Sequence, residues 1–221
     1  MTTESLNYQV AFKSLPLVAI LRGVKPDEVI SIAQTLFNEG YRFIEVPLNS
    51  PDALVSITKL VDTFGDKAWV GAGTVTSMKQ LDDVIETGAR LIVTPNTNPA
   101  IINKAVNAGC VVMPGAMTVT EAFSAIDAGA EIVKLFPGEM LTPSVVKALR
   151  AVLPANIMCI PVGGISADAE QMKGYLSAGA NGFGLGSGLY RPGISSEQIT
   201  LTAKEYVASW QNASEQMNTA N

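Results

Sequence analysis

The chain has 221 residues, 48% apolar and 16% charged, which is material for one large core and short for two domains. Fifteen Lys and Arg against twenty Asp and Glu give a net charge of −5, so no basic stripe exists to grip nucleic acid. Histidine is absent, which removes the commonest general acid/base and the commonest metal ligand together; no metal site and no cofactor are expected. Taken in chain order, residues 1–13 suit an N-terminal helix, and the first apolar run is Leu17-Val18-Ala19-Ile20-Leu21. Asp27 to Phe37 follows Pro26 and carries Val29, Ile30, Ala33 and Phe37 at helical spacing. A repeat then dominates: a helix-like segment ends in Gly, and a short apolar run follows at once. Gly40 precedes Phe43-Ile44-Glu45-Val46, Gly88 precedes Leu91-Ile92-Val93, and Gly109 precedes Val111-Val112-Met113. Gly129 precedes Ile132-Val133-Lys134-Leu135-Phe136, and Gly179 precedes Gly182-Phe183-Gly184-Leu185. Glycine suits the left-handed cap of a helix feeding a strand.

With Trp69-Val70-Gly71-Ala72 and Ile157-Met158-Cys159-Ile160-Pro161-Val162, the chain has eight candidate strands, their centres about 20 to 27 residues apart. Near-continuous apolar strands indicate a parallel sheet buried on both faces, and eight βα units predict a single (β/α)₈ TIM-barrel domain over residues 1–221. The polar run 211–221 is expected to fray. Cys110 and Cys159 read as reduced core residues. The N-terminus lacks the basic and apolar regions of a signal peptide, and no apolar stretch approaches the roughly 18 residues of a membrane helix. A cytoplasmic protein without a membrane partner is the expectation.

Barrels of this kind work at the C-terminal ends of their strands. Those positions hold Arg22, Glu45, Thr74, Pro114-Gly115, Lys134, Gly163-Gly164 and Gly186-Ser187-Gly188. Lys134 shares a strand face with Ile132 and Phe136. An ammonium buried there loses its proton more easily, and the neutral amine can attack a ketone to form an imine; an edge-strand lysine reaching for solvent is the alternative. Glu45 becomes the leading acid/base in a chain without histidine, unless it only pairs with Arg22 or Lys134. Arg22 and Thr74 suit a substrate carboxylate, although a surface arginine is slightly favoured for the first and a tight turn explains the second equally. The two glycine clusters after strands seven and eight suit a phosphate held by backbone N–H groups and the N-terminus of a short helix.

Jointly, Ala19-Ile20-Leu21-Arg22-Gly23, Glu45-Val46-Pro47-Leu48-Asn49-Ser50-Pro51, Gly71-Ala72-Gly73-Thr74-Val75, Val133-Lys134-Leu135-Phe136-Pro137 and Val162-Gly163-Gly164 resemble the 2-keto-3-deoxy-6-phosphogluconate/6-phosphogalactonate aldolase family over about residues 14–210. The resemblance implies a class I aldolase with Lys134 as the Schiff-base lysine and Glu45 as the proton shuttle. It implies that Arg22 and Thr74 hold the pyruvyl carboxylate, and that Gly163, Gly164 and Ser187 hold phosphate. Asn49 replaces the arginine of phosphogluconate relatives, and Val162 replaces their threonine, so these two positions look like the phosphogalactonate branch. The implied substrate is a phosphorylated 2-keto-3-deoxy sugar acid, the 6-phosphogalactonate epimer, cleaved to pyruvate and glyceraldehyde 3-phosphate; a homotrimer is implied too. Rival expectations are action on the gluconate epimer or on both, an isomerase or synthase without an imine, and a non-catalytic phosphometabolite-binding barrel.

Overall fold

The computed structural model describes residues 7–219. The parts of the expected N-terminal helix at residues 1–6 and of the expected frayed tail at 220–221 lie outside the described residues. Strands and helices alternate: α1 (Tyr8–Ser14), β1 (Leu17–Ile20), α2 (Val29–Asn38), β2 (Phe43–Pro47), α3 (Ala53–Phe64), β3 (Trp69–Gly73), α4 (Met78–Glu86) and β4 (Leu91–Val93). They continue as α5 (Pro99–Asn107), β5 (Val111–Met113), β6 (Gly115–Ala116), α6 (Val119–Asp127), β7 (Ile132–Leu135), α7 (Pro143–Arg150), β8 (Met158–Pro161), α8 (Ala169–Ser177), β9 (Phe183–Leu185) and α9 (Ser196–Asn218).

Local chemistry sets these boundaries. Ser77 and Thr118 close capping boxes with Gln80 and Glu121, and Asp168 accepts from the N–H groups of Glu170 and Gln171. At the other ends, the five repeat glycines, 40, 88, 109, 129 and 179, all take positive φ, between 77° and 103°. Each lets the chain turn out of a helix at a backbone angle that side chains resist. The expected helix 27–37 starts later, at Val29, because Pro26 to Glu28 form a turn. Its buried stripe is Val29, Ile32, Ala33 and Leu36, with Ile30 and Phe37 only partly covered.

Every ladder is parallel. One sheet runs in the order β5-β4-β3-β2-β1-β9 and a second in the order β6-β7-β8. The eight expected strands all form, and β6 is the addition. Pro114, which has no N–H to donate, interrupts the fifth strand, and its carbonyl accepts the N–H of Lys134 at 2.9 Å. The strands divide the apolar residues into two clusters. Ala19, Leu21, Ile44, Val46, Ala72 and Val133 face the helices. Val18, Ile20, Phe43, Trp69, Leu91, Val111, Met113, Ile132, Ile160 and Val162 face one another, joined by Phe12 from α1.

The expectation of a frayed segment after residue 210 is corrected for 211–218, which continue α9. Ala213 is fully buried, and the Ser177 hydroxyl donates to the Met217 sulfur at 3.0 Å, so α8 supplies the partner that the polar sequence conceals. No helix among the described residues is long and apolar enough to cross a membrane.

Candidate active site

Glu45 and Lys134 are the buried Asp, Glu, Lys or Arg side chains among the described residues, 2% and 6% exposed. Strand register places both on the face shared by the strand-enclosed cluster: Glu45 stands between Ile20 and Gly71, and Lys134 between Gly115 and Ile160. The edge-strand alternative for Lys134 does not hold, because β7 is flanked on both sides. Neither group is in an ion pair; the described ion pairs, Lys79–Asp83, Lys104–Asp82 and Lys204–Glu39, lie elsewhere. Oε2 of Glu45 is buried without any hydrogen-bond partner.

Burial therefore governs both. It pulls the Lys134 ammonium below its ordinary range, opposed by the charge of Glu45 and assisted by Arg22. It pushes the Glu45 carboxyl up to about 7, against the pull of Lys134 and then Arg22. An amine and a carboxyl are thus both biased toward their neutral forms at one location, as proton-transfer and imine chemistry require. The ring of Phe136, two residues along the strand from Lys134, lies 4.5 Å from Nζ.

Space for the carboxylate comes from β3. A Cβ built on Gly73 would lie 2.5 Å from Oε1 of Glu45, and closer still to Oε2. The next residue, Thr74, is half-buried and takes φ of +58°. That conformation is strained for a β-branched side chain and costs roughly 1–3 kcal/mol.

Above this pair opens a cavity of about 1120 Å³, lined by Ile20, Arg22, Lys134, Phe136, Val162, Gly163, Gly164 and Ser187 among others. The structure thus gathers Arg22, Lys134, Val162, Gly163, Gly164 and Ser187 around one space. Glu45, Thr74 and Asn49 are not on its wall. Asn49 instead accepts a 2.6 Å hydrogen bond from Nη1 of Arg22, while Ser50 Oγ accepts the Gly23 N–H at 2.9 Å. The loop after β2 therefore holds the loop after β1, and the alternative of an Arg22–Glu45 ion pair does not form. Val162 bridges to Gly184 and fills the room a side chain there would need, its Cγ2 being 2.5 Å from where that Cβ would sit.

Gly163 and Gly164 follow β8 with φ of +106° and +67°, and the Tyr206 hydroxyl braces this loop by donating to the Ile165 carbonyl at 2.8 Å. The short helix expected after β9 is not formed. Residues 187–189 make a turn in which Leu189 and Tyr190 both donate to the Gly186 carbonyl. Among the described residues no group of three or more His, Cys, Asp or Glu is placed to hold a metal ion.

Among the cavity residues to which sequence reasoning gives no role are Phe136, Glu139 and Arg191. Phe136 was placed on the lysine's strand face without a role. Glu139, an acidic residue just past that strand, was not singled out, although its position three residues after Phe136 was the available signal.

A family model described as KDPG and KHG aldolase matches residues 9–203. The chain belongs to that family. It is 44% identical over 199 residues to the 2-dehydro-3-deoxy-6-phosphogalactonate aldolase of Escherichia coli strain K12, covering 90% of this chain and 96% of the relative. A probable 2-dehydro-3-deoxy-6-phosphogalactonate aldolase of Rhizobium meliloti strain 1021 is 42% identical, covering 88% and 91%. Among solved structures, one described as native KDPGal superposes with a TM-score of 0.88 at 44% identity, covering 91% of this chain and 97% of that one. The α/β fold with parallel strands is therefore that of the KDPG and KHG aldolase family.

Proposed function

We propose that this chain is a class I aldolase that cleaves 2-dehydro-3-deoxy-6-phosphogalactonate to pyruvate and D-glyceraldehyde 3-phosphate. The observation that carries it is the unpaired Lys134 amine on the cavity wall, with the unpaired Glu45 carboxyl buried within its electrostatic reach. Neutral Lys134 attacks the C2 ketone, and protonation by Glu45 lets the carbinolamine lose water to give an iminium. Glu45, now ionised, takes the C4 hydroxyl proton directly or through a water. The C3–C4 electron pair moves into the iminium as an enamine, and the aldehyde fragment leaves. Protonation of the enamine at C3 and hydrolysis of the iminium release pyruvate and restore Lys134. Arg22 and Thr74 hold the substrate carboxylate, and Gly163, Gly164 and Ser187 hold the phosphate through their N–H and hydroxyl groups.

The choice of the galactonate epimer rests on Val162 and Asn49 and on the names of the two close relatives. A methyl at Val162 in place of a hydroxyl removes one hydrogen bond, enough to bias an epimer preference.

The wider architecture belongs to the same reading. The Val162–Gly184 bridge and the Asn181 N–H to Cys159 carbonyl bond at 2.8 Å link the two sheets on one side. Pro114 joins them on the other, which supports a single closed (β/α)₈ barrel domain with α1 as an extra helix across its N-terminal end. Exposed Leu54 and Val55 on α3, and Val119 and Phe123 on α6, are two different apolar patches. They support a homotrimer in which one patch meets the other around a ring; its mass in solution tests this. A cytoplasmic location belongs to the same proposal; no helix among the described residues is long and apolar enough to cross a membrane.

The decisive experiment is incubation with pyruvate and borohydride followed by intact mass. A reduced pyruvyl adduct, lost in Lys134→Ala, is expected. An unmodified chain that nevertheless binds pyruvate, or cleavage that survives Lys134→Ala, overturns the proposal. The gluconate epimer remains the second reading, and preferential cleavage of it would displace the first.

A further inference from the structure

Gly163 and Gly164 form a bare backbone saddle, and one side chain already lies across it. The turn that follows β7 is tied to the end of β8 by the Gly138 N–H, which donates to the Val162 carbonyl at 2.7 Å. Tyr175 braces the same turn by donating to the Gly138 carbonyl at 3.2 Å. These bonds set Glu139 against the saddle. A Cβ built on Gly163 would lie 3.0 Å from Cδ and 3.1 Å from Oε1 of Glu139, with Oε2 nearer still. A Cβ on Gly164 would lie 2.9 Å from Cγ of the same residue. The carboxylate therefore rests where the two missing side chains would be, at the edge of the cavity that also holds Arg22 and Lys134. It is exposed, and no hydrogen bond or ion pair holds it.

A carboxylate on a phosphate seat is a contradiction in charge, unless it serves to weaken binding there. We propose that Glu139 is a specificity-determining residue, a built-in anion that the substrate phosphate must displace from the Gly163–Gly164 saddle. This rests on the reading that the saddle holds phosphate. A substrate tethered at its other end by the Lys134 imine and by Arg22 brings its phosphate in at high local concentration and pushes the carboxylate aside. A small free anion has no such tether and is repelled. After C3–C4 cleavage the phosphate-bearing aldehyde has lost its covalent anchor, and the returning carboxylate speeds its departure. The side chain needs no partner of its own to do this, and its solvent exposure leaves it free to rotate.

The test compares wild type with Glu139→Gln and Glu139→Ala, and with Glu215→Gln as a same-charge control on α9 away from the cavity. Inorganic phosphate and glyceraldehyde 3-phosphate serve as inhibitors of cleavage. A charge facing a phosphate dianion at about 5 Å in a wet site is worth roughly tenfold in affinity. Both inhibition constants are therefore expected to fall about tenfold in the two Glu139 variants and to stay put in Glu215→Gln. The yield of borohydride-trapped pyruvate on Lys134, which does not involve the saddle, is expected to be unchanged in all of them. Inhibition constants that stay within twofold of wild type, or rise, overturn the role of Glu139 while leaving phosphate binding at the saddle intact. If phosphate competes with substrate in none of the proteins, the phosphate seat itself is wrong and this inference falls with it. Loss of the trapped adduct throughout points instead to failure of the aldolase reading.

Discussion

Gly73→Ala tests how closely the reaction depends on the placement of one carboxylate. The added methyl would stand 2.5 Å from Oε1 of Glu45 and nearer to Oε2. Ordinary carbon–oxygen contact needs about 3.3 Å, so the carboxylate must retreat by roughly 1.5 Å. It has little room to do so, being 2% exposed and packed among Ile20, Gly71 and their neighbours. A displacement of that size in the group proposed to transfer protons is expected to lower kcat about 100-fold, and overpacking should cost about 1–3 kcal/mol of stability. The assay is steady-state cleavage, with urea unfolding to establish that the variant is folded. A double-mutant cycle supplies the control: if the methyl acts through Glu45, Gly73→Ala should add almost nothing to Glu45→Gln. A folded Gly73→Ala within threefold of wild type, or losses that multiply fully, would refute the reasoning.

Other expectations follow from the same geometry. Glu45 is a carboxyl whose folded value, about 7, stands above its ordinary 4.5, so the native state binds the extra proton between those limits. Stability should be fullest below pH 4.5 as far as this group is concerned, and fall by on the order of 3 kcal/mol as pH rises to 7 and beyond. Glu45→Gln should flatten the wild-type slope of unfolding free energy between pH 5 and 7, and an unchanged slope would count against burial as the cause. Asn49→Ala releases Arg22 from its 2.6 Å hydrogen bond and is expected to raise the KM for substrate about fivefold at nearly constant kcat. An equal loss in kcat would show that Asn49 does more than position Arg22. Val162→Thr should shift the ratio of kcat/KM for the two C4 epimers about tenfold toward gluconate; no shift would remove Val162 from the specificity argument.

The strand and helix alternation was legible because local rules and tertiary needs agree. The five cap glycines mark turns that only positive φ can make, and the apolar runs after them are buried on both faces. Lys134 was legible for the opposite reason, since it breaks the rule of its own strand. Loop-to-loop contacts were not legible. Arg22 meets Asn49 across 27 residues and Glu139 meets Gly163 across 24, and neither pairing leaves a periodic trace. The break at Pro114 was visible as a residue but not as a kink that moves a strand from one sheet to the other. The end of α9 was misjudged because its apolar contacts are few, with Trp210 and Ala213 carrying the packing among polar neighbours.

The long C-terminal helix has a consequence for how the chain comes into being. α9 packs against α8 and also against α2, and the Tyr41 hydroxyl, just past α2, reaches the Ala203 carbonyl at 3.4 Å across 162 residues. The side of α2 that meets α9 is thus synthesised long before its partner. During translation the side of α2 that meets α9 stays uncovered until residues beyond 196 clear the ribosome, so shorter chains expose apolar surface there. The same helix carries Tyr206, which braces the Gly163–Gly164 loop, so the cavity itself is complete only once the last helix has docked.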